Sequence, residues 1–453
     1  MARSKFGINM CEGSILRNII SFSLPLMASS LLQLLYNAAD VIVVGRFAGS
    51  DAIASVGATG SLCSLIVQFF IGCSVGASVL VSKKYGAQDY EGVHRGVHTS
   101  MLLSVVLGIL VMLVGVLLSK PLLVLMGTPE GAVLDGAVLY MRIYFVGMFA
   151  SFIYNFGAAV LRAMGDTKRP LYILSLTGIV NVVLNLVLVC WFHLDVAGVA
   201  IATAVANFLS ALAVIYTLCR SEGVYRLFLK NLKIYKEELK AILKVGLPAG
   251  IQGSVFGLSN TTIQSAVNSF GPVAMAGNAA GANIEGFVYV AMNAFYQACL
   301  TSVSQNYGAK NEKRVKKTIS VSLVCAAITG IILGGLSAIF AKPLLGIYIT
   351  DSPEAIEYGV IRILYTGLPY FMCGIMEVLA GGLRGLGYSG TSTVNSLVGA
   401  CGLRILWVWL ILPLHRTQEM LFLCWPVSWI VVILMHAIAL HYAKKKTIDL
   451  LSK

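Results

Sequence analysis

The segment QLLYNAADVIVVG, residues 33–45, places one aspartate inside a long apolar stretch. From Phe22 to Phe47, the only charged residues are Asp40 and Arg46. Such a stretch is more apolar than a core helix of a soluble protein needs, and it exceeds the roughly 20 residues that cross a bilayer. The segment therefore predicts a membrane helix that carries a buried carboxylate.

The composition extends this prediction to the whole chain. Apolar residues make up 58% of the 453 residues, charged residues only 12%, and the mean hydropathy is +0.84. These values exclude an ordinary soluble domain. Twelve apolar runs are long enough to span a bilayer, centred near residues 31, 67, 105, 144, 180, 207, 253, 289, 328, 368, 402 and 431. The first run is too long for a signal peptide and lacks a small-residue cleavage site, so we expect no removable signal.

The Lys and Arg residues that give the chain its net charge of +13 are unevenly distributed between the two sides of the predicted membrane. With the N-terminus placed in the cytoplasm, 26 of the 33 Lys and Arg residues fall in inner segments, as the positive-inside rule requires. The densest of these segments is 220–244, between the sixth and seventh runs. We therefore expect both termini in the cytoplasm, basic loops that contact lipid headgroups, and no nucleic-acid partner.

The cysteine and histidine spacing predicts neither a metal site nor a catalytic site. The ten cysteines are scattered singly without a CxxC pair, and the six histidines show no ligand spacing. The sequence also contains no recognisable nucleophile and base pair or phosphate-binding glycine loop. We expect no enzymatic activity and no cofactor.

The chain repeats itself once, at a shift of about 222 positions. KYGAQ (84–88) aligns with NYGAK (306–310), SKPLL (119–123) with AKPLL (341–345), and LRAMGDT (161–167) with LRGLGYS (383–389). The repeated unit contains six predicted helices. Because six is even, both copies start on the same side of the membrane.

These observations predict an all-α integral membrane protein. Its twelve transmembrane helices form two six-helix lobes related by pseudo-two-fold symmetry along the membrane normal. The N-terminal lobe comprises residues 1–219, the cytoplasmic linker 220–244 and the C-terminal lobe 245–453. Such a repeat favours a transporter that works by alternating access, and we expect a monomer.

Three of the twenty acidic residues fall inside predicted spans: Asp40, Glu285 and Glu377. A carboxylate at the bilayer centre costs at least about 2.5–3.5 kcal/mol, so each should face a cavity or a partner. On the first helix, Asp40 belongs to a polar stripe at i, i+3, i+4 and i+7. The stripe consists of Gln33, Tyr36, Asn37 and Asp40, and we expect it to face inward.

Three further polar residues are predicted to lie near Asp40. Asp40 is about 9 Å below the outer end of helix 1, and Thr203 is about 12 Å from the outer start of helix 6. Asn181 and Asn185 lie one turn apart on helix 5. One carboxylate, two amide carbonyls and a hydroxyl suit either a hard monovalent cation or a protonated carboxylic acid.

With these residues in view, the chain resembles the multidrug and toxic compound extrusion (MATE) transporters over residues 15–443. The resemblance rests on LPLMASSLLQLLYNAADVIVVGRFAGSDAIASVGA in helices 1 and 2, SKKYGAQD after helix 2, LRAMGDTKRP before helix 5, NVVLNLVL in helix 5 and the repeated LRGLGYS. It implies a twelve-helix exporter of amphipathic, often cationic compounds, driven by inward Na+ or H+. It also implies a location in a bacterial inner membrane.

The resemblance assigns roles to residues that match the family's motifs. Asp40 matches the helix 1 acid that takes part in ion or proton coupling, and Asn181 and Thr203 match its partners on helices 5 and 6. Asn185 departs from the version of the motif that carries aspartate there, which leaves the choice between Na+ and H+ open. The remaining candidates for the substrate cleft or the second lobe are Gln33, Tyr36, Asn37, Glu285 and Glu377.

Several alternatives remain open. A lipid-linked oligosaccharide flippase of the same superfamily is the second candidate function, although its cleft is usually more basic. A sugar or peptide transporter of the major facilitator type also has six plus six helices, but its signature after helix 2 is absent here. Glu285 and Glu377 could be structural instead of functional, and Glu377 could pair with a neighbouring cation near Arg384. Arg404 is expected to be structural and to neutralise a carboxylate.

Overall fold

The computed structural model describes residues 7–43, 47, 50–350 and 352–451, and almost all of these residues lie in helices. Arg46, which the charge analysis placed in the first outer loop, lies outside the described residues.

Twelve long helices follow one another along the described chain. The first six are α1 Ile15–Val43, α2 Ser50–Gly86, α3 Tyr90–Leu125, α4 Ala132–Ala163, α5 Lys168–Leu186 and α6 Asp195–Cys219. The last six are α7 Lys236–Asn268, α8 Pro272–Gly308, α9 Glu312–Ile339, α10 Pro353–Gly385, α11 Ser389–Leu414 and α12 Gln418–Leu451. Two short helices, Leu229–Asn231 and Ala341–Gly346, lie between them.

In the part of the chain that the structure describes, three of the long helices contain π-helical turns. Such a turn extends α5 over Val187–Trp191, and α11 contains two, Leu397–Gly402 and Trp407–Ile411. In α10, the turn Ile363–Gly367 joins Pro353–Arg362 to Tyr370–Gly385. A π-helical turn changes the direction in which the following side chains point, and such turns often occur at functional sites.

Eleven of the helices in the described part of the chain are long and apolar enough to cross a membrane. The remaining long helix is α8, which spans 37 residues. It carries the amide and carboxylate side chains of Asn278, Asn283, Glu285, Asn293, Gln297, Gln305 and Asn306. Each of the twelve apolar runs that the sequence predicts therefore corresponds to a helix.

The chain divides into two compact units. The described part of the first unit comprises residues 7–8, 28–43, 47, 50–85 and 89–243, and that of the second comprises Asn9–Met27, Gly86–Gln88, 244–350 and 352–451. The start of α1 thus packs within the second unit and its remainder within the first. The expected division at 1–219, 220–244 and 245–453 stays a prediction.

In the first unit, α4 packs closely against α3 and α6. The close approach of α4 to α6 depends on Gly147, where an added Cβ would lie 2.7 Å from the Ala204 Cα. Small residues allow membrane helices to approach in this way. Buried aromatic rings of α4, including Phe145, Phe152 and Phe156, fill one of the hydrophobic clusters of this unit.

The basic segment predicted as a linker packs on the first unit. The Phe228 amide donates to His98 Nε2 at 3.1 Å, and the Tyr235 amide donates to Thr99 Oγ1 at 3.2 Å. Both acceptors lie near the start of α3. Two backbone hydrogen bonds therefore hold the chain between α6 and α7 against this helix.

In the second unit, α8 packs on α9 and α10, and α10 also packs on α12. The segment that precedes α1 is held in the same unit. The Met10 amide donates to Gln305 Oε1 at 3.0 Å, and Arg314 Nη2 donates to the Met10 carbonyl at 2.9 Å. The Met10 side chain is buried.

Candidate functional site

The candidate site of the first unit begins with the packing of α1 against α5. The Tyr36 ring covers Gly178 so closely that a Cβ there would clash with the ring. The Tyr36 hydroxyl also donates to the Ser175 carbonyl at 3.2 Å. Because Asp40 follows Tyr36 by one helical turn, this contact directs the Asp40 carboxylate toward the same face of α5.

Asp40 meets Asn185 on that face. Asn185 Nδ2 donates a hydrogen bond to Asp40 Oδ1. One turn earlier on α5, Asn181 Nδ2 donates to Thr203 Oγ1 of α6 at 3.4 Å. The structure therefore connects the four predicted coupling residues through one face of α5.

The site has more acceptors than donors. Asn181 Oδ1 and Asn185 Oδ1 are buried and have no hydrogen-bond donor among the residues that the structure describes. Asp40 forms no ion pair in those ranges either, and its side chain is half-buried. Buried acceptors without donors are rare in proteins, and each one requires an explanation. A carboxylate in contact with Asn185, whose own oxygen is unsatisfied and which lies one turn from the equally unsatisfied Asn181, is an environment that attracts a cation.

The other members of the α1 stripe have different surroundings. Tyr36 packs against α5, whereas the side chains of Gln33 and Asn37 are exposed. Their assignment to a substrate cleft stays a prediction.

In the second unit, Glu285 of α8 is held in a buried ion pair. Arg362 Nη2 lies 2.6 Å from Glu285 Oε2, and Arg362 Nε donates to Oε1 at 3.1 Å. Thr366 donates to the same carboxylate, and Asn278 accepts from Arg362. Such a two-point contact is among the stronger arrangements for a buried charge pair.

Glu377 of α10 has no such partner. Its side chain is half-buried, and it forms no ion pair within the described ranges. Arg384 interacts with it electrostatically but donates its hydrogen bonds to Tyr296 Oη at 2.7 Å and Gln252 Oε1 at 2.8 Å. The ion pair that the sequence offered as a structural alternative for Glu377 does not form among the residues that the structure describes. Tyr289, which also interacts with Glu377, is 40% exposed.

The expectation for Arg404 requires a correction. Its guanidinium is buried, but no carboxylate pairs with it among the described residues. The two acids that lie within spans of the second unit take other positions, Glu285 with Arg362 and Glu377 near Arg384. The side chain therefore does not neutralise an acid as predicted.

Sequence reasoning missed Arg362 as the partner of Glu285. The available signal was the presence of two cations, Arg362 and Arg404, and two acids, Glu285 and Glu377, in predicted spans of the same half. Their sequence separation of 77 residues gave no indication of contact. Within the described ranges, no group of three or more His, Cys, Asp or Glu residues could hold a metal ion.

Comparison with known proteins identifies the family. A MatE family model matches the chain twice, at residues 25–187 and 248–410. The two matches start 223 positions apart and confirm the six-helix repeat. The probable multidrug resistance proteins YpnP and YoeA of Bacillus subtilis are similar to this chain. YpnP is 27% identical over 83% of this chain and 84% of its own length, and YoeA is 28% identical over 86% of each.

A solved structure shows the same fold. It is the outward-facing conformation of a multidrug resistance MATE family transporter of the MOP superfamily, with a TM-score of 0.89. The two sequences are 22% identical, and the match covers 98% of this chain and 99% of the other. The expected all-α, multi-pass membrane architecture of two six-helix halves is confirmed. The chain therefore belongs to the MatE family, the multidrug and toxic compound extrusion family that its motifs resemble.

Proposed function

We propose that this protein is a secondary active multidrug exporter that exchanges amphipathic, often cationic compounds for an inward-moving cation. Alternating access exposes the cation site first to the outside and then to the cytoplasm. The named relatives are multidrug resistance proteins, which supports export of drug-like compounds over the flippase alternative. The protein has no enzymatic role in this proposal.

One observation carries the proposal: Asp40 is a membrane-embedded carboxylate without an ion-pair partner in the described ranges, next to acceptors without donors. A structural acid in a membrane protein is normally paired, because an unpaired charge in a low-dielectric region is costly. An acid that must bind and release a cation in each cycle cannot be permanently paired. The surroundings of Asp40 meet this requirement.

Of the two candidate cations, Na+ fits the site better than H+. A proton on Asp40 can donate one hydrogen bond and so satisfies at most one of the orphaned oxygens of Asn181 and Asn185. A hard metal cation is bound by several oxygen ligands at once. Asp40, both amide oxygens and Thr203 Oγ1 provide such a set, with one negative charge to match one positive charge.

The exposed polar groups of both units are candidates for contacts with the exported compound. In the first unit these are Gln33 and Asn37, and in the second they are Tyr289 and the half-buried Glu377. A carboxylate and an aromatic ring attract an organic cation through charge and cation–π interaction. Glu285 is excluded from this role in the proposal, since Arg362 already neutralises it.

The remaining expectations follow from the family and from the distribution of charge. We propose that the protein resides in the bacterial cell membrane as a monomer with both termini in the cytoplasm. The positive-inside distribution of Lys and Arg supports this orientation.

The function can be tested with the purified protein in liposomes loaded with ethidium, an amphipathic cation. Ethidium efflux is followed by fluorescence under a Na+ gradient at equal pH, and separately under a pH gradient without Na+. We expect the Na+ gradient to drive efflux and an Na+ ionophore to abolish it. If neither gradient drives efflux above that of protein-free liposomes, the proposed antiport is wrong. Efflux driven only by the pH gradient would reassign the coupling ion to H+.

A further inference from the structure

The segment between α6 and α7 carries positive charge that no acid of the described fold neutralises. Residues 225–235 contain Arg226, Lys230 and Lys233 and no acidic residue. All three side chains are exposed, and none of them forms an ion pair among the residues that the structure describes. The segment therefore presents three cations whose charge remains available to a partner.

The backbone of this segment turns alternate side chains toward the protein and toward its surface. Tyr225 and Leu227 are buried in a hydrophobic cluster of the first unit. Arg226 and Phe228 are exposed, as expected for an extended chain in which successive side chains point to opposite faces. The Phe228 side chain is 42% exposed, and that of the following Leu229 is 57% exposed. Two large apolar side chains thus lie beside the three cations.

Hydrogen bonds hold this surface next to the end of α6. The Leu227 amide donates to the Leu218 carbonyl at 3.1 Å, and Arg226 Nε donates to the Cys219 carbonyl at 3.0 Å. The guanidinium carbon of Arg226 lies 5.0 Å from the centroid of the Phe228 ring. Because α6 is a membrane helix, these contacts fix the exposed side chains close to the point where the chain leaves the bilayer.

Exposed tyrosines mark the level of the membrane surface on this side of the first unit. Tyr216, in the last turn of α6, is 63% exposed, and the guanidinium carbon of Arg220 lies 5.7 Å from its ring. Tyr90 at the start of α3 and Tyr172 near the start of α5 are also exposed. Tyrosine is enriched at the membrane–water interface. The segment that follows α6 therefore begins at the level of the lipid headgroups.

The combination of cations and apolar side chains indicates what kind of partner this surface fits. A soluble anion neutralises the cations but leaves Phe228 and Leu229 in contact with water. A membrane that contains anionic lipids neutralises the same cations and also receives the two apolar side chains at the boundary between headgroups and acyl chains. Charge complementarity and apolar burial thus both favour an anionic lipid surface.

We propose that Arg226, Phe228, Leu229, Lys230 and Lys233 form a binding surface for anionic phospholipids of the surrounding membrane. The three cations contact the phosphate groups, and the two apolar side chains insert between the headgroups. Bound lipid thereby holds the chain between α6 and α7 against the bilayer. This inference assigns the lipid contact expected of the basic loops to one surface, and it does not depend on the export function.

The test uses the full-length protein in detergent, titrated with phosphatidylglycerol or with phosphatidylcholine of the same acyl chains. The midpoint of thermal unfolding is measured at each lipid concentration. We expect phosphatidylglycerol to raise it at lower concentrations, because a ligand that binds only the folded state stabilises it by mass action. Lys230→Gln/Lys233→Gln should weaken the apparent affinity for phosphatidylglycerol about twenty-five-fold, since each basic residue near an anionic surface contributes about fivefold.

Two further variants separate this surface from general attraction by positive charge. Lys313→Gln/Lys317→Gln is the matched control, because both lysines are exposed at the start of α9 and form no ion pair within the described ranges. Its affinity for phosphatidylglycerol should equal that of the wild type. Leu229→Gln keeps every charge and should weaken the affinity about fivefold, because an apolar side chain no longer leaves water on binding.

Amide hydrogen exchange shows where the lipid binds. In nanodiscs that contain phosphatidylglycerol, the amides of residues 226–233 should exchange more slowly than in nanodiscs of phosphatidylcholine alone. Those of residues 308–312, the turn between α8 and α9, should not change. Four results would each overturn the proposal: equal wild-type affinities for the two lipids, equal affinities of the two double variants for phosphatidylglycerol, unchanged affinity in Leu229→Gln, or exchange at 226–233 that is the same in both nanodiscs.

Discussion

Asp40 in the first unit and Glu285 in the second are both carboxylates on membrane helices, but their partners differ. Glu285 is buried against Arg362, Thr366 and their neighbours, and its charge is matched within the fold. Asp40 accepts one hydrogen bond, from the side-chain amide of Asn185. It packs against a face of α5 that also carries the two unsatisfied oxygens of Asn181 and Asn185. The comparison shows that the charge of a membrane acid can be neutralised permanently by a cation of the protein. Alternatively, it can be left available for a cation from solution.

Replacement of Asp40 gives the largest effect that follows from this comparison. Asp40→Asn preserves the size of the side chain and an acceptor for Asn185 Nδ2, but it removes the charge that attracts the coupling cation. We expect gradient-driven ethidium efflux in proteoliposomes to fall to the background rate, while the protein remains folded. The exposed acid Asp135 supplies the matched control, and Asp135→Asn should transport normally. Normal coupled transport by Asp40→Asn would remove the distinction between the two acids.

Disruption of the pair between Glu285 and Arg362 in the second unit should instead reduce the stability of the fold. Arg362→Met leaves Glu285 buried without its cation, and breaking a buried pair in this way costs about 3–5 kcal/mol. We expect a marked loss in the free energy of unfolding in detergent, measured by denaturant titration. The double variant Glu285→Gln/Arg362→Gln removes both charges and should recover most of the loss. If Arg362→Met is as stable as the wild type, the pair does not fix the Glu285 charge.

Removal of one of the unsatisfied amide oxygens of the first unit should have a smaller effect, a reduced affinity for the coupling cation. Asn185→Ala removes one amide oxygen and the hydrogen bond to Asp40, so cation affinity should fall about tenfold, or about 1.4 kcal/mol. The half-saturating Na+ concentration for ethidium efflux measures this change. Asn155, which donates within its own helix to the Ser151 carbonyl, offers a control substitution that should leave the value unchanged. An unchanged value in Asn185→Ala would exclude this residue from the cation site.

The repeat supplies a fourth and smaller test, at equivalent helix starts outside the spans. Asp89 caps α3 by accepting from the Gly92 amide, and Asn311 caps α9 by accepting from the Arg314 amide. Hydrogen bonds from Lys84 Nζ and from the Gly92 amide hold the pKa of Asp89 below its usual value. A lowered carboxyl pKa stabilises the fold above the unfolded value of about 3.9, and this contribution is lost as the pH falls through the folded pKa.

The two caps should therefore differ in their response to acid. Asp89→Asn is expected to cost about 1 kcal/mol or less at pH 7 and to flatten the decline in stability below about pH 4. Thermal unfolding between pH 3 and pH 7 measures both effects. Asn311→Ala should lower stability by a similar amount at every pH, because an amide does not titrate in this range. If the stability of Asp89→Asn falls as steeply at low pH as that of the wild type, the stabilising role of the ionised Asp89 carboxylate is contradicted.

The contacts of Asp40 with Asn185 and of Asn181 with Thr203 could be anticipated from the sequence, because helix geometry relates residue number to position along a helix. Asp40, Asn181, Asn185 and Thr203 occupy similar depths once the helices and their direction are known. The observed contacts join them in two pairs, Asp40 with Asn185 and Asn181 with Thr203, and their common role in ion coupling stays a prediction. Position along the helix was informative because each residue lies on a regular helical segment.

The pairing in the second unit could not be predicted in the same way. Arg362 precedes the π-helical turn Ile363–Gly367, and Thr366 lies within it. Such a turn alters the rotation of the helix, so a regular period does not show which face meets Glu285. The attachment of the basic segment 220–244 to α3 was also beyond the sequence, because it depends on backbone amides that bond His98 and Thr99. A pattern of charges carries no information about such bonds.

Direct binding of radioactive sodium tests the central claim, that Asp40 binds an exchangeable cation and Glu285 does not. The wild type, Asp40→Asn and Glu285→Gln/Arg362→Gln are titrated with labelled Na+ at one pH, and the bound ion is counted per folded chain. The account predicts one saturable Na+ site in the wild type and in the double variant, and none in Asp40→Asn. Saturable binding that survives in Asp40→Asn, or that disappears in the double variant, would contradict it.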